Sequence, residues 1–188
     1  MKRKTLLAAL VALLLMGLYG SATAWWEYNS NWDWEFMDDE RTLAWISYKG
    51  SSSHVTIPHH LALSDRSVPV GRVTLGVSDD EGRASYISSI SFSLDADGGT
   101  PVRDLYGPGS GKSTMSTLSF PEGVQFVNGF GGNPNLTNVN LPSTCTSLGG
   151  GVADYGCFSN CTSLQTINLE NVRTFGVYSL QNTGLTEW

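Results

Sequence analysis

Four groups of side chains have types and spacings that could do chemistry: a Gly-rich loop ending in Lys-Ser-Thr, an Asp-Gly turn, a histidine pair and a cysteine triplet. The loop runs Tyr106-Gly107-Pro108-Gly109-Ser110-Gly111-Lys112-Ser113-Thr114 and has the composition of a phosphate cradle. A nucleotide loop needs Gly-x-x-x-x-Gly-Lys-Ser/Thr, and counting back from Gly111 places Tyr106 where the first glycine must stand. It must also follow a buried apolar strand and open a helix. Thr100 to Leu105 is polar and broken by Pro101, so the segment reads as a flexible linker and no nucleotide is expected. Asp95-Ala96-Asp97-Gly98-Gly99 begins like a calcium loop, yet no bidentate Glu follows at the required distance, which leaves a turn with solvated carboxylates. His59 and His60 follow Pro58 at a strand end, where adjacent side chains point apart, so a surface turn is expected rather than a metal pair. Cys145, Cys157 and Cys161 lack a second pair of ligands, and His54, His59 and His60 lie far from them in sequence. They are expected as buried free thiols. With no Gly-x-Ser-x-Gly elbow and no His-Glu-x-x-His, the sequence assigns no catalytic residue, no metal and no cofactor.

The elements that must position any site emerge from an internal repeat. The pattern apolar-x-x-apolar-x-apolar occurs at Ile87-x-x-Ile90-x-Phe92, Met115-x-x-Leu118-x-Phe120, Leu136-x-x-Val139-x-Leu141 and Leu164-x-x-Ile167-x-Leu169, with a truncated copy at Leu185-x-x-Trp188. The starts are 28, 21, 28 and 21 residues apart, within the leucine-rich repeat range. Three residues before the last three starts stand Asn133, Cys161 and Asn182, where an inward amide or thiol can satisfy backbone groups as each coil turns. Pro121 and Pro142 end two of the strands, a position that needs no ladder donor. The predicted fold class is mainly β, a leucine-rich repeat solenoid with short parallel strands and few or short helices. Solenoids need covered ends. Trp32, Trp34 and Phe36 alternate as a strand, Leu43 to Tyr48 can pair with it as a hairpin, and the two are expected to form an N-terminal β cap rather than a sugar-stacking platform.

The first residues predict export. Lys2, Arg3 and Lys4 precede an apolar run from Leu6 to Leu18, and Ala22-Thr23-Ala24 has the small-x-small form of a cleavage site. A signal peptide over 1–24, cut after Ala24, leaves 164 residues beginning at Trp25, with no later membrane span. The remaining domains are expected as the cap and opening segment over 25–76, an irregular first repeat with a Gly-rich linker over 77–112, and the repeats over 113–188. Outside the leader eight Lys and Arg face 17 acidic residues, a balance of −9 that disfavours nucleic acid.

Residues 136–169, LTNVNLPSTCTSLGGGVADYGCFSNCTSLQTINL, resemble the BspA-like leucine-rich repeats of bacterial cell-surface proteins. Leu148-Gly149 takes the Ile-Gly place of that pattern, Tyr155-Gly156-Cys157-Phe158 the aromatic segment, and Cys161-Thr162-Ser163-Leu164 the closing turn. Residues 46–76 are similar to the opening segment of such proteins, whereas 77–112 fit poorly and carry an acidic loop at Asp79-Asp80-Glu81. The resemblance implies a secreted or cell-surface bacterial protein, non-enzymatic, acting in protein interaction or adhesion.

Within each repeat the residues between the apolar positions should lie on an open, concave face. For the three full C-terminal copies these are Ser116, Thr117 and Ser119; Thr137, Asn138 and Asn140; and Gln165, Thr166 and Asn168. Ser88, Ser89 and Ser91 extend the face to the first copy, and Thr186 and Glu187 to the last. Residues 113–188 hold 5 charges in 76 positions, so the face offers donors and acceptors with little formal charge. Such a surface suits an extracellular protein from host matrix or bacterial surface, or alternatively a glycan; an unrecognised hydrolase is the remaining alternative. Neutral ladders of this kind also serve structure alone.

Overall fold

The computed structural model describes residues 31–63, 65–76, 87–109, 111–150 and 156–186. The expected signal peptide, the acidic loop at Asp79-Asp80-Glu81, and Asp154, Tyr155, Glu187 and Trp188 lie outside them. The described residues form thirteen short strands, and no helix among them is long and apolar enough to cross a membrane. Chain order is β1 (Trp32–Phe36), β2 (Ala44–Tyr48), β3 (His54–Ile57), β4 (His60–Ala62), β5 (Ser67–Thr74), β6 (Ser89–Phe92) and β7 (Asp104–Tyr106). There follow β8 (Thr117–Ser119), β9 (Phe126–Asn128), β10 (Asn138–Asn140), β11 (Ser147–Leu148), β12 (Thr166–Ile167) and β13 (Thr174–Phe175).

The expected hairpin is present. β1 pairs antiparallel with β2, from Trp32 opposite Tyr48 to Phe36 opposite Ala44. Its turn is closed by Asp38, whose carboxylate accepts from the Thr42 backbone N–H at 2.7 Å and from the Thr42 hydroxyl. These bonds, the hydroxyl first, hold the Asp38 carboxyl below its ordinary pKa. Trp32 and Tyr48 are buried edge to face, 5.1 Å between centroids, whereas Trp34 is exposed.

From the hairpin a long sheet runs in the order β1-β2-β5-β7-β9-β11-β13, with β4 antiparallel on β5. The contacts from β2 through β13 are all parallel. The hexads at Met115, Leu136 and Leu164 form a second parallel sheet, β8-β10-β12. The hexad at Ile87 departs from this: β6 pairs with β3, and among the described residues an isolated bridge from Ile87 to Ser113 joins its backbone to the next copy, with Phe92 packed edge-on at 6.5 Å from Phe120. Each C-terminal coil therefore contributes two short strands, one to each sheet.

One apolar cluster joins the sheets. Leu118, Val139 and Leu164 enter it from the hexads, and Leu105, Val127 and Leu148 from the long sheet. Full burial of each such side chain is worth about 1.5–3 kcal/mol. Phe120, Phe130 and Phe158 continue a line of rings along the array, at 5.8 and 6.0 Å between successive centroids.

The turn column is satisfied unequally. Asn133 is wholly buried and donates Nδ2 to the Met115 carbonyl at 2.8 Å and to Ser113 Oγ at 3.1 Å, while its Oδ1 accepts from the Asn135 N–H at 3.2 Å. Cys161 performs the same task more weakly, its Sγ 3.4 Å from the Phe130 carbonyl. Asn182 departs from the expectation: it is exposed, adopts a positive φ of 54° and donates to Asn160 Oδ1 at 2.9 Å.

The Gly-rich segment is not a free linker among its described residues. Gly107, Gly109 and Gly111 donate their N–H groups to the carbonyls of Asn128, Gly129 and Gly131 at 2.7, 2.9 and 3.1 Å. Successive coils touch so closely here that a Cβ on Gly107 would stand 2.5 Å from the Gly129 carbonyl oxygen. Those N–H groups are spent on the neighbouring coil and cannot cradle a phosphate.

Candidate functional site

All nine residues assigned to the open face of the three C-terminal repeats are exposed. The alternation that buries Leu118 and Val139 turns their neighbours outward. Parallel pairing then aligns them in rows, with Thr117 opposite Asn138 and Asn138 opposite Thr166. At a strand spacing of about 4.8 Å, that row is roughly 10 Å long.

The rows differ in what their side chains already hold. Asn168 Oδ1 accepts from the Leu141 N–H at 2.7 Å and its Nδ2 donates to the Leu141 carbonyl at 2.8 Å, so its amide extends the ladder beyond the last residues of β12. Asn140 donates to Ser119 Oγ at 3.4 Å, and Thr137 donates to the Ser116 carbonyl at 3.0 Å. The central row of Thr117, Asn138 and Thr166 has no side-chain partner among the described residues. Ser88, Ser89 and Ser91 sit apart on the β3–β6 pair, where Ser91 Oγ is 2.9 Å from Thr56 Oγ1 and Ser88 donates to the Ser53 carbonyl at 3.1 Å. The nine residues are thus exposed together, and their hydrogen bonds separate those that brace the sheet from the unengaged central row.

Charge stays low on this side. Glu122 is held at the adjacent turn, where its two oxygens accept from the Ser143 N–H and hydroxyl, both at 2.9 Å, and from the Thr144 N–H at 3.3 Å. The Ser143 N–H contributes most to holding its carboxyl below the ordinary value. Glu122 staples one coil to the next and does not face the neutral row.

A second face was missed. On the outer side of the long sheet Trp45 stands opposite Arg72, Arg72 opposite Asp104 and Asp104 opposite Phe126. Arg72 donates Nε and an Nη to the same Asp104 oxygen at 3.1 and 2.7 Å, and its guanidinium lies 5.7 Å from the Trp45 ring and 5.8 Å from Tyr106. Tyr106 and Phe126 pack at 5.3 Å. The sequence gives little signal for this stripe, because β7 and β9 are three residues long and each buries only one, too short for a period to show.

The histidines also behave unlike a simple surface turn. His59 lies in the link between β3 and β4, outside regular strand geometry, so its ring does not diverge from that of His60; the centroids are 4.6 Å apart and the planes nearly perpendicular. Asp95 joins them, with Oδ1 3.6 Å from His59 Nε2 and 3.9 Å from His60 Nδ1. Burial, then the His59 charge, depress the His60 pKa against the pull of Asp95. The Asp-Gly turn expected at 95–99 is present, closed by a 2.9 Å bond from the Gly98 N–H to the Asp95 carbonyl.

Cys145, Cys157 and Cys161 are free and buried. Cys157 Sγ lies 3.1 Å from the Val127 carbonyl. Desolvation raises all three pKa values, that of Cys161 to about 11, so none is a poised nucleophile.

The family model for the BspA type leucine rich repeat region matches residues 110–188 in six copies. A solved leucine rich cell surface protein from Faecalibacterium prausnitzii is similar to this chain at 15% identity, over 80% of this chain and 54% of that one, with a TM-score of 0.27. The chain thus spans about half the length of that protein. No curated protein matches it.

Proposed function

We propose that this chain, whose residues 110–188 match the family model for the BspA type leucine rich repeat region, is an exported, non-enzymatic recognition protein that binds another extracellular protein through the open face of β8, β10 and β12. The observation that carries the reading is the unengaged row Thr117, Asn138, Thr166, flanked by Ser116 and Gln165. Hydroxyls and amides on a rigid parallel sheet present donors and acceptors at fixed spacing, and binding there does not require a charge to be stripped of water. Adhesion to host matrix or to other bacteria, at the cell surface or after secretion, is the setting this reading supports by family analogy.

Capture of matrix and bacterial-surface proteins by the full chain tests it, run beside Asn138→Arg with Thr166→Arg. The reading expects specific capture by the wild type and its loss in the double variant, at an unchanged melting temperature. Equal capture by both chains defeats the assignment of this face.

A second reading rests on the other face. Trp45, Tyr106 and Phe126 around the Arg72–Asp104 pair offer flat apolar surface beside hydrogen-bonding groups, the chemistry by which proteins hold sugar rings. A glycan screen in which Trp45→Ala removes a signal that Asn138→Arg leaves intact would favour it.

A further inference from the structure

We infer that His59 Nε2, His60 Nδ1 and Asp95 Oδ1 form a three-ligand site for a zinc-type divalent cation, with its remaining coordination open to water. The three atoms lie within 4.8 Å of one another and come from half-buried residues. The backbone brings them together. β3 and β6 run parallel in register to Ile57 opposite Phe92, and a further 2.8 Å bond from the Ser93 N–H to the Ile57 carbonyl carries the pairing past the strand ends. His59 and Asp95 therefore leave the same end of the same two-stranded sheet.

Each ligand residue is then fixed separately. The His59 carbonyl accepts from the Val70 N–H at 2.9 Å, and His60 opens β4 opposite Pro69. Asp95 donates its own N–H to the Gly99 carbonyl at 2.9 Å and accepts from Gly98. Holding the backbone at all three positions leaves only side-chain torsions to adjust when a cation enters.

The separations suit an ion better than a hydrogen-bonded cluster. At 3.6 and 3.9 Å the carboxylate oxygen is too far from either nitrogen for a hydrogen bond. A tetrahedral cation with bonds of about 2.0–2.1 Å spaces its ligand atoms about 3.3–3.4 Å apart, so the two carboxylate–imidazole edges must contract by a few tenths of an ångström, and the edge between the imidazoles closes from within 4.8 Å. Two imidazoles and one carboxylate form a donor set that favours zinc-type cations over calcium or magnesium, which take oxygen ligands.

One feature limits the affinity. Metal-bound histidines ordinarily donate their second nitrogen to an acceptor, and His59 Nδ1 is buried with no partner. Loss of such a partner typically costs 10–100-fold in affinity, which places this site in a weaker class than a structural zinc centre.

Calorimetric titration of zinc chloride into the tag-free full chain tests the site, with cobalt(II) spectra as a second readout. The expected result is uptake of about one ion per chain, weakened at least roughly tenfold by Asp95→Asn and by His59→Gln, but not by His54→Gln, with metal-free melting temperatures unchanged. Cobalt should show d–d bands without a thiolate charge-transfer band. No uptake by the wild type at about millimolar zinc would overturn the site, as would uptake that neither variant weakens or a thiolate band pointing to the cysteines.

Discussion

Replacing Asn133 by Ala removes three hydrogen bonds from one turn of the array. The Met115 carbonyl loses its 2.8 Å donor, Ser113 Oγ loses a 3.1 Å donor and the Asn135 N–H loses its acceptor. Ser113 keeps a 3.4 Å bond from the Met115 N–H, and Asn135 is exposed and can turn to water. The Met115 carbonyl is the severe loss, since Asn133 occupies a fully buried position beside it. An orphaned buried acceptor costs about 1–3 kcal/mol, and with the space left by the amide the total comes to about 2–4 kcal/mol. For a chain of this size that is a fall of roughly 4–16 °C in melting temperature. Asn182→Gly is the internal control, because that residue occupies the same column but is exposed, adopts a positive φ that glycine accepts without strain and is bonded through its side chain to Asn160, and it should change stability by less than about 0.5 kcal/mol. Thermal and urea denaturation followed by circular dichroism measure both. Equal losses in the two variants, or none in Asn133→Ala, would refute the claim that an inward amide supports the coil.

Other outcomes follow from the same geometry. Gly107→Val should cost about 1–3 kcal/mol or more, since its Cβ meets the Gly129 carbonyl oxygen and the coils must part; a melting temperature equal to wild type would contradict the close contact. Alkylation after denaturation should show three free thiols and alkylation of the folded chain almost none near neutral pH, whereas a disulfide-linked mass would contradict the packing. The Glu122 carboxyl titrates below its unfolded value near 4.5, so its bonds to Ser143 and Thr144 contribute stability above that pH and lose it as pH falls through the folded value. Glu122→Gln should therefore flatten part of the acid limb of melting temperature against pH, and an unaltered limb would count against the staple.

Legibility in the sequence tracked the length of the pattern. The hexads at 115 and 136 each bury three apolar positions in six, the hexad at 164 buries Leu164 and half-buries Ile167 and Leu169, and they predicted β8, β10, β12 and the outward residues between them. The hairpin of β1 and β2 was legible for the same reason. The second strand of each coil was not, because Leu105, Val127 and Leu148 are each the single buried residue of a strand two or three residues long, too short for a period to show. Gly107, Gly109 and Gly111 read as a linker because composition cannot distinguish glycine used for freedom from glycine used for close approach. His59, His60 and Asp95 could not be joined in advance. Their convergence depends on β6 pairing with β3, a contact the repeat register did not foretell.

The neutral face is the central claim, and the most direct measurement is the ratio of dissociation constants of wild type and Asn138→Arg/Thr166→Arg for one captured extracellular protein, at matched fold and melting temperature. Two arginines set in the row beside Thr117 should weaken binding by more than roughly a hundredfold, about 1.4 kcal/mol for each tenfold step. A ratio near one would show that the partner binds elsewhere on the array.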